Sequence, residues 1–167
     1  MSSLELATER LRLVTPSVEL IPAVLDFVER NESHLAPWSP PAPAGVRTVE
    51  HWREIVSRSE AAFTAGQALR LWITPGGEPD RIIGTIGYSQ IFRGPFCSCV
   101  LGYQIDRACE GRGLMHEALA ESIRYMFGVQ KLHRIGANYR PENLRSGRLL
   151  ARLGFRIEGF ARRYLFI

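Results

Sequence analysis

The stretch VLGYQIDRACEGRGLMHEALAESIRYMF, residues 100–127, constrains the fold of this chain more than any other. An apolar, strand-forming run at 100–105 leads into a polar turn that carries glycine, and from Leu114 the apolar residues recur at helical spacing. A helix entered from such a turn directs its unpaired N–H groups and the positive end of its dipole toward the turn, which favours an anion there. Gly111 and Gly113 let backbone approach a phosphate without an intervening Cβ. The stretch therefore predicts a strand, a phosphate-binding loop and a helix.

Two common phosphate-binding motifs are absent from this loop. No Gly-Lys-Ser/Thr sequence follows it, so it lacks the lysine and the hydroxyl with which a nucleotide-hydrolysing P-loop holds the terminal phosphate and magnesium. The dinucleotide pattern G-x-G-x-x-G also fails, because Gly113 is followed by Leu114, Met115 and His116. The interpretation that remains is a pyrophosphate held by main-chain N–H groups.

The composition fits one intracellular domain. The chain has 167 residues, 46% of them hydrophobic, which is enough for a single domain with a real core. It has no signal-peptide pattern and no apolar run long enough to span a membrane, so we expect a cytoplasmic protein without membrane contact. Cys97, Cys99 and Cys109 lack metal-type spacing, and we expect free thiols and no metal. The formal charge of +4 comes almost wholly from arginine and suits either a phosphorylated ligand or a solvated surface.

Hydrophobic periodicity predicts a mixed α/β fold. Strands are expected at residues 11–14, 69–74, 81–91, 96–105 and 134–138, with a last strand region at 155–167. Helices are expected at residues 21–30, from an N-cap at Thr48 to Gly66, at 114–127 and at 143–153, with a proline-rich loop at 31–47. Three consecutive strands joined by short turns predict an antiparallel meander, and the strands on either side of the central helix predict a parallel, right-handed β-α-β unit. We therefore expect one domain over residues 1–167, with a mostly antiparallel sheet and helices on both faces.

The loop and the wider chain resemble one known family. The hexamer from Glu110 to Met115 is similar to the signature Q/R-x-x-G-x-G/A with which the GCN5-related N-acetyltransferases (GNATs) bind the pyrophosphate of acetyl-CoA, with Glu and Met at its two ends as departures. The segments ERLRLVTP, NESHLAPW, RIIGTI, LGYQID, EGRGLMHEAL, LHRIGANYRPEN and LARLGF resemble, in this order, the ribosomal-protein-alanine (Rim-type) branch, where both departures are ordinary. The resemblance covers essentially the whole chain. It implies a GNAT fold and an acetyl-CoA-dependent N-acetyltransferase that needs no metal.

The resemblance also assigns a cofactor site in the opening between the two parallel strands, which splay apart in this family. The cofactor-binding residues that it implies are Tyr103, Gln104, Ile105, Gly111, Arg112, Gly113, Leu114, Met115, Asn138, Asn143 and Ser146. The strand residues among them act through their backbone, so that their side chains matter little. Ser146, beside the sulfur, and Tyr103 are the catalytic candidates. From spacing alone, helix capping is the favoured explanation for Asn143 and Ser146.

Four residues are candidates for the acceptor side of the cleft. His34 is either a general base or merely an exposed loop histidine. Trp38 is either a wall of the acceptor site or an anchor that holds its loop on the core. Arg93 and Phe96 flank a turn, and either orient a peptide acceptor or shape the hairpin.

Three functions are compatible with these residues. The resemblance favours acetylation of a protein N-terminal α-amine, with a ribosomal protein as a candidate acceptor, by direct attack in a ternary complex. The second is acetylation of a small amine such as an antibiotic, a polyamine or an amino acid. Acidic residues in the acceptor cleft would favour a polycationic small molecule, and an open groove would favour a peptide. The third is an arginine-rich module that binds RNA or the ribosome without catalysis; outside the ribosome, nucleic acid is not an expected partner.

The C-terminal residues carry a separate expectation. Members of the branch usually continue beyond a stretch like residues 161–167 with a turn and one more strand. Here the sequence stops at Ile167, which leaves the apolar run Tyr164, Leu165, Phe166 and Ile167 as an edge without its neighbour. We expect either that the chain continues beyond Ile167 or that a second subunit supplies the neighbouring strand in a homodimer.

Overall fold

The computed structural model describes residues 3–164, which form one six-stranded sheet and four α-helices. The strands are β1 (Glu5–Ala7), β2 (Leu11–Val14), β3 (Leu69–Pro75), β4 (Gly84–Phe92), β5 (Ser98–Ile105) and β6 (Arg134–Ala137). The helices are α1 (Ile21–Leu35), α2 (Val49–Thr64), α3 (Leu114–Gly128) and α4 (Leu144–Arg152), with short 3₁₀ helices at Ala36–Trp38 and Arg107–Cys109. In this part of the chain no helix combines the length and the apolar character needed to cross a bilayer.

The sheet runs in chain order from β1 to β6, and only the last pair is parallel. Strands β3, β4 and β5 form the predicted antiparallel meander, since each is joined to the next by a short turn. Helix α3 supplies the crossover between β5 and β6, which confirms the predicted parallel β-α-β unit. Strand β1 was not predicted, because its three residues are too few for alternation to be recognised.

Helices cover both faces of the sheet, as predicted. Alternate side chains of β3 point in opposite directions, so Leu71 and Ile73 enter the cluster that contains Leu119 of α3, whereas Trp72 enters the cluster formed by α1 and α2. Trp72 and Leu71 are both fully buried. Each face therefore has its own apolar layer.

Helix α1 is longer than predicted and corrects the position of His34. It continues past residue 30 to Leu35, because the buried side chain of Asn31 both donates and accepts a hydrogen bond. Its amide donates to the Phe27 carbonyl oxygen (2.9 Å), and its oxygen accepts from the Arg107 N–H (3.0 Å). The expectation of a loop from residue 31 was therefore wrong. His34 lies in the last turn of α1, and Trp38 ends the 3₁₀ helix that follows.

The predicted last strand does not form in the described residues 155–164. These residues pair with no strand, and Ile157 and Phe160 are exposed. The segment is instead tied to the end of the sheet by an ion pair between Arg134 and Glu158 and by a hydrogen bond from the Asn138 amide to the Tyr164 hydroxyl (3.4 Å). The rest of the predicted edge, residues 165–167, lies outside the described residues. The homodimer accordingly stays a prediction.

Arg30 of α1 joins the helix layer to the end of β5. Its Nε donates to Asp106 at 2.6 Å, and its other nitrogens bond to the Asp26 carboxylate and the Ile82 carbonyl oxygen. Burial alone would raise the pKa of Asp106, but hydrogen bonds from Arg30 and from the Ala108 N–H hold that pKa below its ordinary value. Together with the Asn31 hydrogen bond, this ion pair fixes α1 against the turn that leads into the glycine loop.

Replacing Asp106 by alanine should destabilise the protein by about 2–3 kcal/mol, because it leaves the part-buried Arg30 guanidinium without its inner partner. The Asp106 side chain is 4% exposed, whereas that of Asp26, the outer partner, is 68% exposed. Asp26→Ala is therefore the matched control, and it should cost about 0.5 kcal/mol. Urea unfolding measures both values. Since the folded pKa of Asp106 is lowered, its contribution should persist from neutral pH down to about pH 4 and shrink below that. Equal losses in the two variants would contradict this account.

Candidate active site

An opening between β5 and β6 runs through the sheet beyond the point where their pairing stops. The two strands are paired from Ser98 and Arg134 to Leu101 and Ala137, and β5 then continues to Ile105 without β6 beside it. Backbone groups on this free edge are available to an extended ligand. Tyr103, Gln104 and Ile105, the predicted arm-binding residues, lie on this edge.

The glycine loop lies at the end of this opening. Gly111 and Gly113 adopt positive φ values of 72° and 75°, and Gly113 is the N-cap of α3 without a side-chain hydrogen bond to the helix. A Cβ on Gly111 would meet nothing within 4 Å, so space is open above the loop. Met115 is buried in the core and can offer only its N–H to a ligand. The loop thus has the form of a main-chain anion cradle, which fits a pyrophosphate.

Arg10 and Glu117 support the loop from outside, and the sequence did not single them out. The Glu117 carboxylate, in the first turn of α3, accepts from the Thr8 hydroxyl (2.6 Å), the Arg10 N–H (2.9 Å) and the Arg10 Nε (2.7 Å). Burial would raise the pKa of Glu117, but these hydrogen bonds lower it below its ordinary value. Arg10 also donates to the Arg112 carbonyl oxygen (3.1 Å). The loop is therefore held by the β1–β2 turn, while the Arg112 side chain is exposed.

Tyr103 and Ser146 form a hydrogen bond across the opening. Their hydroxyl oxygens are 2.6 Å apart, with Tyr103 on the free part of β5 and Ser146 on α4. Burial raises the pKa of Tyr103, an effect that the hydrogen bond to Ser146 reduces. The tyrosine therefore keeps its proton at neutral pH. The structure thus brings the two predicted catalytic residues into contact.

Asn143 caps α4, which confirms the interpretation from its spacing. Its side-chain oxygen accepts the Ser146 N–H at 3.1 Å. The cap fixes Ser146 in the first turn of the helix, facing Tyr103. Asn138 lies just past β6, where its side chain is exposed and bonded to Tyr164. The contacts of Asn138 and Asn143 with a cofactor stay predictions.

The glycine inside α4 is explained by close packing. A Cβ on Gly147 would lie 2.9 Å from the ring of Tyr139, a distance that would force the ring to move. Tyr139 follows β6, so this contact fixes the distance between α4 and the end of the strand. It sets the width of the cleft on the side opposite β5.

His34 lies on the wall of the cleft, where it is bonded to Glu110. Its Nε2 is 3.2 Å from one Glu110 oxygen, and Arg145 of α4 pairs with the other. The His34 side chain is only 11% exposed, so it is not the exposed loop histidine of the alternative explanation. Glu110, the first residue of the hexamer, thus links α1 to α4 across the mouth of the cleft. A role for His34 as a base stays a prediction.

The proline-rich segment is held over the cleft by polar contacts. The Gln104 amide donates to the Ser39 hydroxyl (3.0 Å), and Arg140 donates to the Pro37 carbonyl oxygen (2.9 Å). The half-buried Trp38 between these contacts lines the cleft. The side chain of Gln104 therefore has a partner of its own, while the expectation that it matters little to the cofactor stays a prediction.

Arg93 and Phe96 are not brought to the cleft. They lie at the β4–β5 turn, where Arg93 bonds to the carbonyl and side-chain oxygens of Gln130 and Phe96 packs against Phe92 with ring centroids 5.9 Å apart. Neither residue is among those that line the cleft in the described part of the chain. Their geometry fits the alternative in which they shape the hairpin.

The splayed parallel strands, the glycine cradle and the hydroxyl pair between them define a class of acyl transferase. The model of the acetyltransferase (GNAT) domain matches residues 10–156, and the chain belongs to this family. It is 42% identical over 147 residues to the [ribosomal protein uS5]-alanine N-acetyltransferase of Escherichia coli, a match that covers 85% of this chain and 73% of that protein.

Two solved structures extend the comparison. The ribosomal-protein-S5-alanine acetyltransferase of Vibrio fischeri superposes with a TM-score of 0.92 at 33% identity, covering 98% of this chain and 89% of that one. The RimJ protein of Mycobacterium smegmatis, solved in complex with CoA-disulfide, superposes with a TM-score of 0.86 at 30% identity, covering 93% and 74%. The GNAT fold and an acetyltransferase activity, both implied by the sequence resemblance, are thereby confirmed.

Proposed function

We propose that this enzyme transfers the acetyl group of acetyl-CoA to the α-amine of a protein N-terminus, with a ribosomal protein as the natural acceptor, in the cytoplasm. The observation that carries the proposal is one continuous cleft. It runs from the glycine loop, past the Tyr103–Ser146 pair, to the sheet face beside α2. Its volume of about 2140 Å³ is well above the range of about 300–1,000 Å³ that is usual for a small-ligand site, so a long cofactor and an acceptor peptide both have room.

Each part of the cleft has a separate role in this proposal. The amides of residues 111–115 hold the pyrophosphate, and the free edge of β5 orients the arm, so that the thioester reaches the Tyr103–Ser146 pair. The thioester supplies an activated acetyl group, whose carbonyl carbon the neutral amine attacks as the carbon–sulfur bond breaks. The hydroxyl pair then gives a proton to the departing thiolate, and the attacking amine loses one proton to water. His34, bonded to Glu110, is the candidate that would accept this amine proton instead.

The charges of the cleft favour a peptide over a polycationic small molecule. Among the described residues, the carboxylates that line the cleft are Glu110, Glu142 and Glu158, and each is paired with an arginine. Within the described part of the chain, no unpaired carboxylate of the cleft is therefore left to receive an ammonium group of a polyamine or an antibiotic. The cleft is also open, whereas a non-catalytic RNA-binding module would need no access to it.

A panel of acceptors tests the proposed function directly. We expect thiol release from acetyl-CoA in the presence of peptides with a free N-terminal alanine, and mass spectrometry should place the acetyl group on the α-nitrogen. The same peptides with a blocked N-terminus, but with a lysine side chain present, are the matched control and should give background rates. Faster turnover of spermidine, an aminoglycoside or a free amino acid would overturn the proposal.

A further inference from the structure

Arg70 is a cleft-lining arginine that has no ion-pair partner among the described residues and whose guanidinium is desolvated by the protein around it. It lies on β3 and points to the same sheet face as Trp72, where it is exposed to the cleft. Among residues 3–164, no carboxylate pairs with it. The protein around it desolvates the guanidinium and lowers the pKa of Arg70, and no anion beside it offsets that effect. A cation in this setting is complementary to an anion brought by a ligand.

A row of glycines on neighbouring strands connects Arg70 to the reacting end of the cleft. Gly87 of β4 lies opposite Arg70 in the sheet, and Gly102 of β5 lies opposite Gly87. A Cβ on either glycine would meet nothing within 4 Å, so the space above both is open. Gly102 precedes Tyr103 directly. The Tyr103 side chain itself leaves the other face of the sheet, toward the α3 layer, so the row leads from the β5 edge of the opening, across bare backbone, to the positive charge of Arg70.

The position of Arg70 argues against a role in binding the cofactor phosphates. It faces the layer formed by α1 and α2, whereas α3, whose N-terminus forms the anion cradle, covers the other face. It is also two strands away from β5, which corresponds to about 10 Å between backbones at a strand spacing of about 4.8 Å. Its anion must come from the acceptor.

This distance indicates where that anion lies in the acceptor. An extended peptide advances by about 3.3 Å per residue, and the arginine side chain spans part of the gap itself. A peptide whose α-amine is at β5 would bring the side chain of about its second to fourth residue to the guanidinium.

We propose that Arg70 selects acceptors that carry an aspartate or glutamate within the first few residues after the acetylated N-terminus. The proposal rests on the proposed N-terminal acetylation and names the substrate class of that same cleft. Glu→Gln changes in the acceptor test it, because they remove the charge but keep the size of the side chain.

The experiment compares matched alanine-terminal peptides that carry Glu, Gln or Lys at the third position. With the unchanged enzyme, kcat/KM should be about tenfold or more higher for the Glu peptide than for the Gln peptide, since a charge-assisted hydrogen bond is lost. Arg70→Gln should bring the two peptides to the same rate. Arg70→Glu should reverse the order, with the Lys peptide now the best acceptor.

Arg53→Gln is the matched control, because Arg53 is an exposed residue of α2 outside the cleft and its loss changes the net charge equally. It should leave the Glu-to-Gln preference intact. The inference is overturned if the unchanged enzyme does not distinguish the peptides, or if Arg70→Gln slows all of them equally. Either result would still be consistent with N-terminal acetylation. The absence of turnover with every peptide would instead contradict the proposed function itself.

Discussion

Gly113→Val should weaken acetyl-CoA binding by about 30-fold or more, measured by calorimetry. Gly113 has a φ of 75°, and a β-branched residue in this left-handed region costs on the order of 1–3 kcal/mol. The loop can relieve that strain only by moving, and movement takes its amides away from the pyrophosphate. In addition, the valine methyl groups would occupy the approach to the N-terminus of α3.

Two control variants separate this effect from general damage. Gly66→Val introduces similar strain at a φ of 67° after α2, at a residue that does not line the cleft, and should lower stability without weakening cofactor binding. Arg112→Ala removes a charge from the middle of the loop but keeps its backbone, so cofactor affinity should change by less than about threefold. A larger loss from Arg112→Ala than from Gly113→Val would show that the arginine side chain, and not the backbone cradle, holds the pyrophosphate.

The parts of this site that could be predicted are those in which local sequence determines local structure. The change from strand to glycine turn to helical spacing fixes β5, the loop and α3, because each follows from its own residues. The Asn143 cap was predictable for the same reason. These local patterns therefore predicted the cofactor side of the cleft and a pyrophosphate as the group bound there.

The contacts that could not be predicted join residues far apart in the sequence. Asn31 looked like the start of a loop, yet it is buried because Arg107, 76 residues away, donates to it. Glu117 is not singled out by any pattern in the sequence, but the β1–β2 turn binds its carboxylate. Arg70 and Gly102 gave no signal, since their significance comes only from the register of β3, β4 and β5. Pairing registers of this kind are tertiary facts that no local pattern encodes.

Tyr103→Phe should lower kcat by about 100- to 1,000-fold and change acetyl-CoA affinity by only a few fold. The phenol is the better acid of the hydroxyl pair, and proton transfer to the leaving group typically contributes about 10²- to 10⁴-fold. Ser146→Ala should also act on turnover more than on binding, with a smaller loss of about 10- to 100-fold, because its contact with the sulfur grows as negative charge develops. Thermal melting of both variants provides the check that the fold is intact.

The 2.6 Å separation of the two hydroxyls indicates that they act as one relay, and the decreases in kcat caused by Tyr103→Phe and Ser146→Ala should then not add. The double variant should then turn over at nearly the rate of Tyr103→Phe.

The pH profile gives an independent test of the hydroxyl pair. kcat/KM should rise with pH as the acceptor amine, with a pKa of about 8, loses its proton. Because burial raises the pKa of Tyr103, the donor stays protonated, and no alkaline fall is expected below about pH 10. Unchanged turnover in Tyr103→Phe, or additive losses in the double variant, would contradict the relay and leave the pair as a contact that only holds α4 against β5.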